Sequence, residues 1–463
     1  MSPYFFISVT NMENIQEFRY PFESFIDFFS GGYWIQIQGL HLTFGWLGLL
    51  VMSLFVFSRH SSLYIKFTTI YFAAFVFNNY AYSLANIRIS DFFGIIIAIL
   101  SLKLIGKNLF RQSMIGYALL LIGFAAFIHI IIIKIIYPEL DNQIEQFFIR
   151  ITLVGRICVL GLVTLRFDQE FNTGEKINQL IKDIVYFGLV SIAVYLIQVL
   201  VLATGNLPFG TFLDAGFTGF PSFGSVSIER GHFAKLFVPL FPFYAIFTIK
   251  EKKIVIFLLY LLINLINFSA SGQVFLVCYL LLFAFYYRGN LLKWYNYFFI
   301  IFLSSFLYIV TTNFFTEQVL GVVEKINRLG LQGDDEGGRG FDVFQQYIET
   351  YPLGTSYGGS TLRIVTDLPE INLGIYAFIV QFSILSIPLI IGFIYLNYMV
   401  IIKSNFRVEK DIRNALLIGI LVSGVIYCID ILWFTPTIWL PLIICHRLSQ
   451  LSKPRNNELN YLP

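Results

Sequence analysis

Stretches of mostly apolar residues alternate along this chain with short polar connections. A bilayer crossing takes about 20 apolar residues. On that measure, spans fall near 36–57, 63–82, 91–107, 114–136, 148–166, 183–204, 233–249, 254–269, 272–288, 294–312, 373–402 and 413–433. A shorter run at 437–449 either crosses or re-enters. The pattern predicts an all-α polytopic membrane protein of about 12 transmembrane helices, with that run as a candidate thirteenth. No internal repeat of the kind that builds inverted-repeat carriers stands out.

The connections sort into two alternating sets. "SRHSS", "KLIGKNLFR", "RFDQEFNTGEKINQLIKD", "KEKK", "RGNLLK" and "KSNFRVEKDIR" are rich in Lys and Arg, whereas "PELDNQIEQ" is acidic and "NFSASGQ" neutral. Cytoplasmic loops collect Lys and Arg, so the basic set is assigned to the cytoplasm. The N-terminal segment and two long connections, 205–232 and 313–372, then face outward. The chain divides into residues 1–312, which hold the first ten spans and outer loop 205–232, an extracytoplasmic cap at 313–372, and C-terminal spans with a short tail at 373–463.

Composition agrees. Of 463 residues, 57% are hydrophobic, 18% aromatic and only 13% charged, with a mean hydropathy of +0.74. Soluble domains carry about 25% charged residues, so one water-soluble core does not account for this chain. A net charge of +3 gives no reason to expect nucleic acid. Cys158, Cys278, Cys428 and Cys445 lie in or beside apolar runs without short pairing, which points to neither a zinc site nor a disulfide framework. The first residues carry acids where a cleavable signal has a basic region, so none is expected.

The loop at 313–372 is the chemical exception, with nine acids and four basic residues. Within it, "FDVFQQYIETYP" sets Phe341, Phe344, Ile348 and Tyr351 on one helical face, and Pro352 ends the helix. Such an amphipathic helix is expected to lie on the membrane surface. Arg339 in "GGRG" precedes it. Glycines that permit a tight turn, a guanidinium and a helix start suit a phosphate or diphosphate, although a flexible loop with a solvated arginine has the same composition. Arg230, His232 and Lys235 stand where outer loop 205–232 enters a span, against the positive-inside bias. Arg156 falls near the middle of a span, where a charge marks a function or pairs with a carboxylate elsewhere. Arg150 lies nearer the outer end and could line the same entrance. Tyr357, Arg363, Asp367, Glu370 and Asn372 complete the outer set. Glu370 and Asn372 directly precede a span, where a base at the membrane surface could sit, and both equally suit a plain helix start. The run "DDE" at 334–336 offers oxygen ligands, but adjacent acids in a loop are ordinarily solvated.

The order of these residues resembles the Wzy-type enzymes, the polytopic O-antigen polymerase and ligase group. An arginine enters a span in "ERGHFAKLFVPL", followed by "SASGQ". The large loop then carries "GGRGFDVFQQYIETYPLGTSYGG", and "EINLGIYAFIVQFSILSIP" opens the next span. The group's pattern of Ser/Gly-x-Arg, amphipathic segment, Pro-x-Gly and glycine-rich turn falls here on Gly338, Arg339, Pro352, Gly354, Gly358 and Gly359. The resemblance covers roughly residues 205–395; upstream it is hydropathy only.

That resemblance implies a glycosyltransferase of the bacterial inner membrane with its active site facing the periplasm. It would join undecaprenyl-diphosphate-linked repeat units into O-antigen or a related polysaccharide. The lipid-linked glycan would serve as donor and acceptor, within membrane lipid and with a chain-length regulator as a further partner. Arg230 and Arg339 would hold the diphosphate and Glu370 would be the base, with no cofactor or metal. Arg156, His232, Lys235, Tyr357, Arg363 and Asn372 would bind substrate. The ligase branch carries a histidine just before the span after the large loop. "DLPEINLG" has none there, which favours a polymerase over a ligase that uses lipid A core as acceptor. A lipid-glycan flippase or transporter is the reading from another class. The orientation is directly testable: a membrane-impermeant thiol reagent should label Asn142→Cys in intact cells, and Lys252→Cys only after permeabilisation.

Overall fold

The computed structural model describes residues 35–74, 89–105, 113–141, 144–204, 224–225, 230–267, 269–287, 341–357, 366, 368, 371, 374–404, 408–429 and 435–451. For a few residues inside its helices, Arg230 and His232 among them, only the backbone is described. The regular elements are all helical, with no strand among the described residues. In chain order they are α1 (Ile35–Arg59), α2 (Leu63–Ala73), α3 (Ile89–Ser101), α4 (Met114–Ile136), α5 (Ile144–Glu170), α6 (Gly174–Ala203), α7 (Arg230–Phe237), α8 (Phe241–Glu251), α9 (Ile254–Ile266), α10 (Ala270–Tyr287), α11 (Phe341–Thr350), α12 (Gly374–Phe382), α13 (Ser386–Ser404), α14 (Lys410–Ile429) and α15 (Pro436–Leu451).

Among the described residues, five segments are long and apolar enough to cross a membrane. They are α4, Gly174–Val201 of α6, Phe233–Glu251 through α7 and α8, Gly374–Ile402 through α12 and α13, and α14. Helices suit this environment because each pairs its own backbone polar groups without help from water. Two of the five are interrupted. A tight 3₁₀ turn at Val238–Leu240, which contains Pro239 and is followed by Pro242, separates α7 from α8. A second, at Ser383–Leu385, separates α12 from α13.

The outward faces of α4 and α13 are apolar. Leu121, Phe124 and Ile135 project from one, and Ile387, Ile391 and Ile394 from the other, with Ile135 74% exposed, as is Ile384 in the turn before α13. Water would not tolerate such stripes, and lipid does. Helix α8 is the buried centre. Phe241 stacks on Tyr279 at 4.8 Å, and Tyr244 on Tyr260 at 4.3 Å. At Gly272 a Cβ would come within 2.5 Å of the Ala234 Cβ, so α10 crosses α7 at a separation only glycine allows.

The basic connections meet at one end of the bundle. Asp183, wholly buried, accepts from Arg59 Nη1 (3.2 Å) and Gln179 (2.9 Å) and pairs with His60 Nε2 (2.7 Å). Ser62 donates to Glu170, Ser113 to Asp168, Lys250 to Asn178 and Arg447 to the Phe171 carbonyl. Tyr287 donates to the Asp411 carbonyl. These bonds tie the ends of α1, α5, α6, α8, α10, α14 and α15 into a polar floor. Its demands explain why α5 and α6 run to 170 and from 174, past the expected spans 148–166 and 183–204. Their polar extensions carry Glu170 and Asn178, which, with Asp183, find partners across the floor.

Elsewhere the expected spans and observed helices begin and end within a few residues of one another, most closely at α4, except that α2 covers only 63–73 of the span expected at 63–82, whose residues 75–82 lie outside the described residues. The expected span 294–312 lies outside the described residues. The short run at 437–449 is α15, whose 16 residues measure about 24 Å, less than a hydrocarbon core of about 30 Å. It contains Pro441 and is buried along most of its length.

The floor gives a graded prediction. Asp183→Ala strands Arg59 and His60 and is expected to cost about 3 kcal/mol. Lys182→Ala removes a surface pair with Glu251, whose partners are 32% and 30% exposed, and should change stability by less than about 1 kcal/mol. Melting temperatures of the detergent-solubilised variants would separate the two.

Candidate functional site

The break between α12 and α13 creates the main polar feature at the other end. In an unbroken helix the Val380 and Gln381 carbonyls would accept from residues 384 and 385. Instead Ser383 takes the left-handed conformation (φ 45°), and those carbonyls face the turn that follows α11. Thr355 N–H donates to Val380 O and Ser356 N–H to Gln381 O, each at 2.9 Å. Gln381 Nε2 returns a bond to Ser356 O (3.3 Å), and the Ser383 hydroxyl donates to Pro352 O. Gly354 sits at φ +90°, and a Cβ there would lie 2.8 Å from Gln381 O. Only glycine lets the backbones approach this closely.

Two further helices grip the same turn. From α4, His129 Nε2 lies 2.9 Å from Leu353 O, and Nδ1 lies 2.9 Å from the Ser356 hydroxyl. A carbonyl only accepts, so Nε2 carries the proton and Nδ1 accepts from Ser356. From α5, the Arg150 guanidinium stacks 4.0 Å from the Tyr357 ring centroid, with both side chains fully buried. Thr355 Oγ1 closes the turn by donating to Tyr357 O (3.1 Å). His129 lies seven residues before the end of α4, about 10 Å along the axis. Tyr351, by contrast, meets Tyr137 just beyond that end, edge-on at 5.3 Å. Between Tyr351 and Ser356 the chain therefore runs about two helical turns back along α4.

Helix α11 covers this turn. It has the expected amphipathic character and stops before Pro352, but its apolar face packs on protein rather than lying on lipid. Tyr347 is wholly buried, with its hydroxyl 2.9 Å from Thr366 Oγ1, and Phe344 stacks on Tyr376 at 4.7 Å. Ile133 and Leu140 from the α4 end, with Ile371, Ala377 and Val380, complete the cluster. Tyr347 and Tyr357 are core side chains here, not open platforms for a sugar.

The other expected site residues fall into three groups. Arg156 is committed to a carboxylate, with Nε 2.9 Å from Asp91 Oδ2 and both side chains buried. The six-residue step from Arg150 to Arg156 leaves them about 120° apart around α5, so Arg156 faces α3 while Arg150 faces the turn. They do not share an entrance. Arg230 and His232 begin α7, with Lys235 half-buried one turn on. Arg339, Arg363, Glu370 and Asn372 lie outside the described residues, as do Asp367, Gly358 and Gly359. Of the expected set, the described side chains bring Tyr357 to Arg150 but do not join it to Arg156. Outer loop 205–232 contributes a second anchored point. The Gln198 amide pairs with both the N–H (2.8 Å) and the C=O (3.3 Å) of Ser225. Among the described residues no group of three His, Cys, Asp or Glu side chains comes together as for a metal.

No protein-family model matches the chain, and neither does any curated protein or solved structure. The site therefore stands on its own geometry. Sequence reasoning missed His129, Gln381, Ser383 and Asp91. Each is a polar residue in or at the edge of an apolar run, and that isolation was the available signal. The turn makes its own prediction: Gly354→Ala must bear both the left-handed backbone and the carbonyl approach, expected to cost about 1–3 kcal/mol locally. Faster proteolysis within 351–357, in protein whose helix content is unchanged, would register it.

Proposed function

We propose that this membrane protein is a glycosyltransferase that polymerises lipid-diphosphate-linked oligosaccharide units at the outer face of a bacterial inner membrane. The supporting observation is the buried turn. Pro352 and Gly354, where the Wzy-type pattern falls, begin a backbone segment held between α4 and α12 beside buried Arg150, and in the proposed topology that segment lies at membrane depth. Irregular backbone survives at that depth only when protein or a water-filled cavity surrounds it, and a substrate with a polar diphosphate on a lipid needs such a boundary. The proposal includes about 12 spans, with the polar floor in the cytoplasm and the α11 cap outside, as the Lys and Arg distribution suggests.

In the proposed reaction, a hydroxyl of one lipid-linked unit attacks the anomeric carbon of another. The new glycosidic bond forms as the sugar–phosphate bond breaks, and the lipid diphosphate leaves with the bonding electron pair. Arg339 and Arg230 stabilise the charge on the leaving diphosphate. Glu370 takes the hydroxyl proton. Arg156, already paired with Asp91, is assigned to scaffolding rather than to diphosphate.

The two interrupted helices favour a second reading, a lipid-glycan carrier, since broken spans often build transport sites. One assay separates them. Purified protein in lipid, given a short lipid-diphosphate-linked repeat unit, should produce a ladder of longer lipid-linked glycans. Arg339→Ala and Arg230→Ala should each reduce the rate about 100-fold or more, and Glu370→Gln about 100-fold. Movement of the unit across a sealed bilayer without elongation would support the carrier instead.

A further inference from the structure

Helix α4 is among the most apolar in the chain, and its outer face is turned to lipid. His129 nevertheless breaks that run, facing inward with both ring nitrogens engaged by a turn more than 200 residues away in sequence. An imidazole is costly to bury at this depth unless both nitrogens are satisfied, and Leu353 O and Ser356 Oγ satisfy both. The backbone bonds from Thr355 and Ser356 hold the turn against α12 from one side only. The imidazole adds attachment from α4, beside Phe382 and in addition to the Arg150–Tyr357 stack from α5, and holds the Leu353–Ser356 part of the turn in place. The residues that leave the turn are Gly358 and Gly359, followed by Arg363.

We propose that His129 is the positioning residue of this end of the protein. Its neutral, Nε2-protonated imidazole clasps Leu353 and Ser356 and thereby sets the position of the turn at Pro352–Tyr357. It touches no substrate. Its effect on glycan transfer rests on the polymerase reading, whereas the clasp itself does not.

The test uses the full chain in lipid nanodiscs with Leu353→Cys as reporter, since Leu353 is 42% exposed. Cys428, which is exposed, is replaced by Ser. Labelling by a charged maleimide, without substrate, should be roughly tenfold faster with His129→Ala and with Ser356→Ala, because either leaves a buried partner unmatched. Combining the two should add little, since both open one clasp. His129→Gln, whose amide keeps a donor for Leu353 O, should recover part of the protection. In the elongation assay the same variants should raise KM for the lipid-linked unit more than they lower kcat. Unchanged labelling in both single variants, or effects that simply add, would overturn the clasp. Ser356→Ala also serves if His129→Ala does not fold. Faster labelling with unaltered elongation kinetics would overturn the positioning role. A wild-type protein that builds no ladder would overturn the polymerase reading, and the labelling result would still decide the clasp.

Discussion

A peptide group below the membrane surface must find its hydrogen-bond partner within the protein. Most of this chain meets that requirement by being helical. Among the described residues the turn at Pro352–Tyr357 departs from this, and that end of the bundle is arranged around it. Breaking the helix at Ser383 releases two carbonyls, and two N–H groups of the turn take them up. The break and the turn are therefore one device, since neither would be tolerated at that depth without the other. Gly354 allows the approach, and α11 covers the turn with aromatic side chains.

The opposite end follows a different rule. There charged side chains are abundant. Asp183 is buried because three donors converge on it, while pairs such as Lys182–Glu251 remain at the surface. The two ends differ in what they hold. The floor ties helix ends together through many side chains. The outer end holds a single turn through a few bonds from three helices. Such a turn can be sensitive to one substitution while the bundle stays folded.

Much of the fold was legible because apolar length and polar punctuation are one-dimensional signals. The helix limits of α4, the amphipathic α11 and its stop before Pro352 all followed from local pattern. Extension of α5 and α6 into polar sequence did not, because a helix with a polar surface is stabilised there by partners that sequence order does not reveal. The direction of α11's apolar face was missed for a related reason. An amphipathic helix needs a greasy surface, and periodicity does not say whether lipid or protein provides it. At the site, Pro352 and Gly354 were visible as a pattern, and the structure adds that Gly354 lies against the Gln381 carbonyl. His129 was hidden because a lone histidine in an isoleucine-rich run carries no partner in its own neighbourhood.

The two arginines of α5 also bear on how the chain is built. Asp91 precedes Arg156, so that pair can form as soon as α5 emerges. Tyr357, the ring that covers Arg150, is synthesised roughly 200 residues later, which at common elongation rates is on the order of 10–40 seconds. During that interval α5 carries a cation whose final aromatic cover does not yet exist. Biogenesis thus has a built-in order, in which an early helix is completed only when the late cap folds back onto it. A ribosome stalled between the two would leave an intermediate that the insertion machinery has reason to retain.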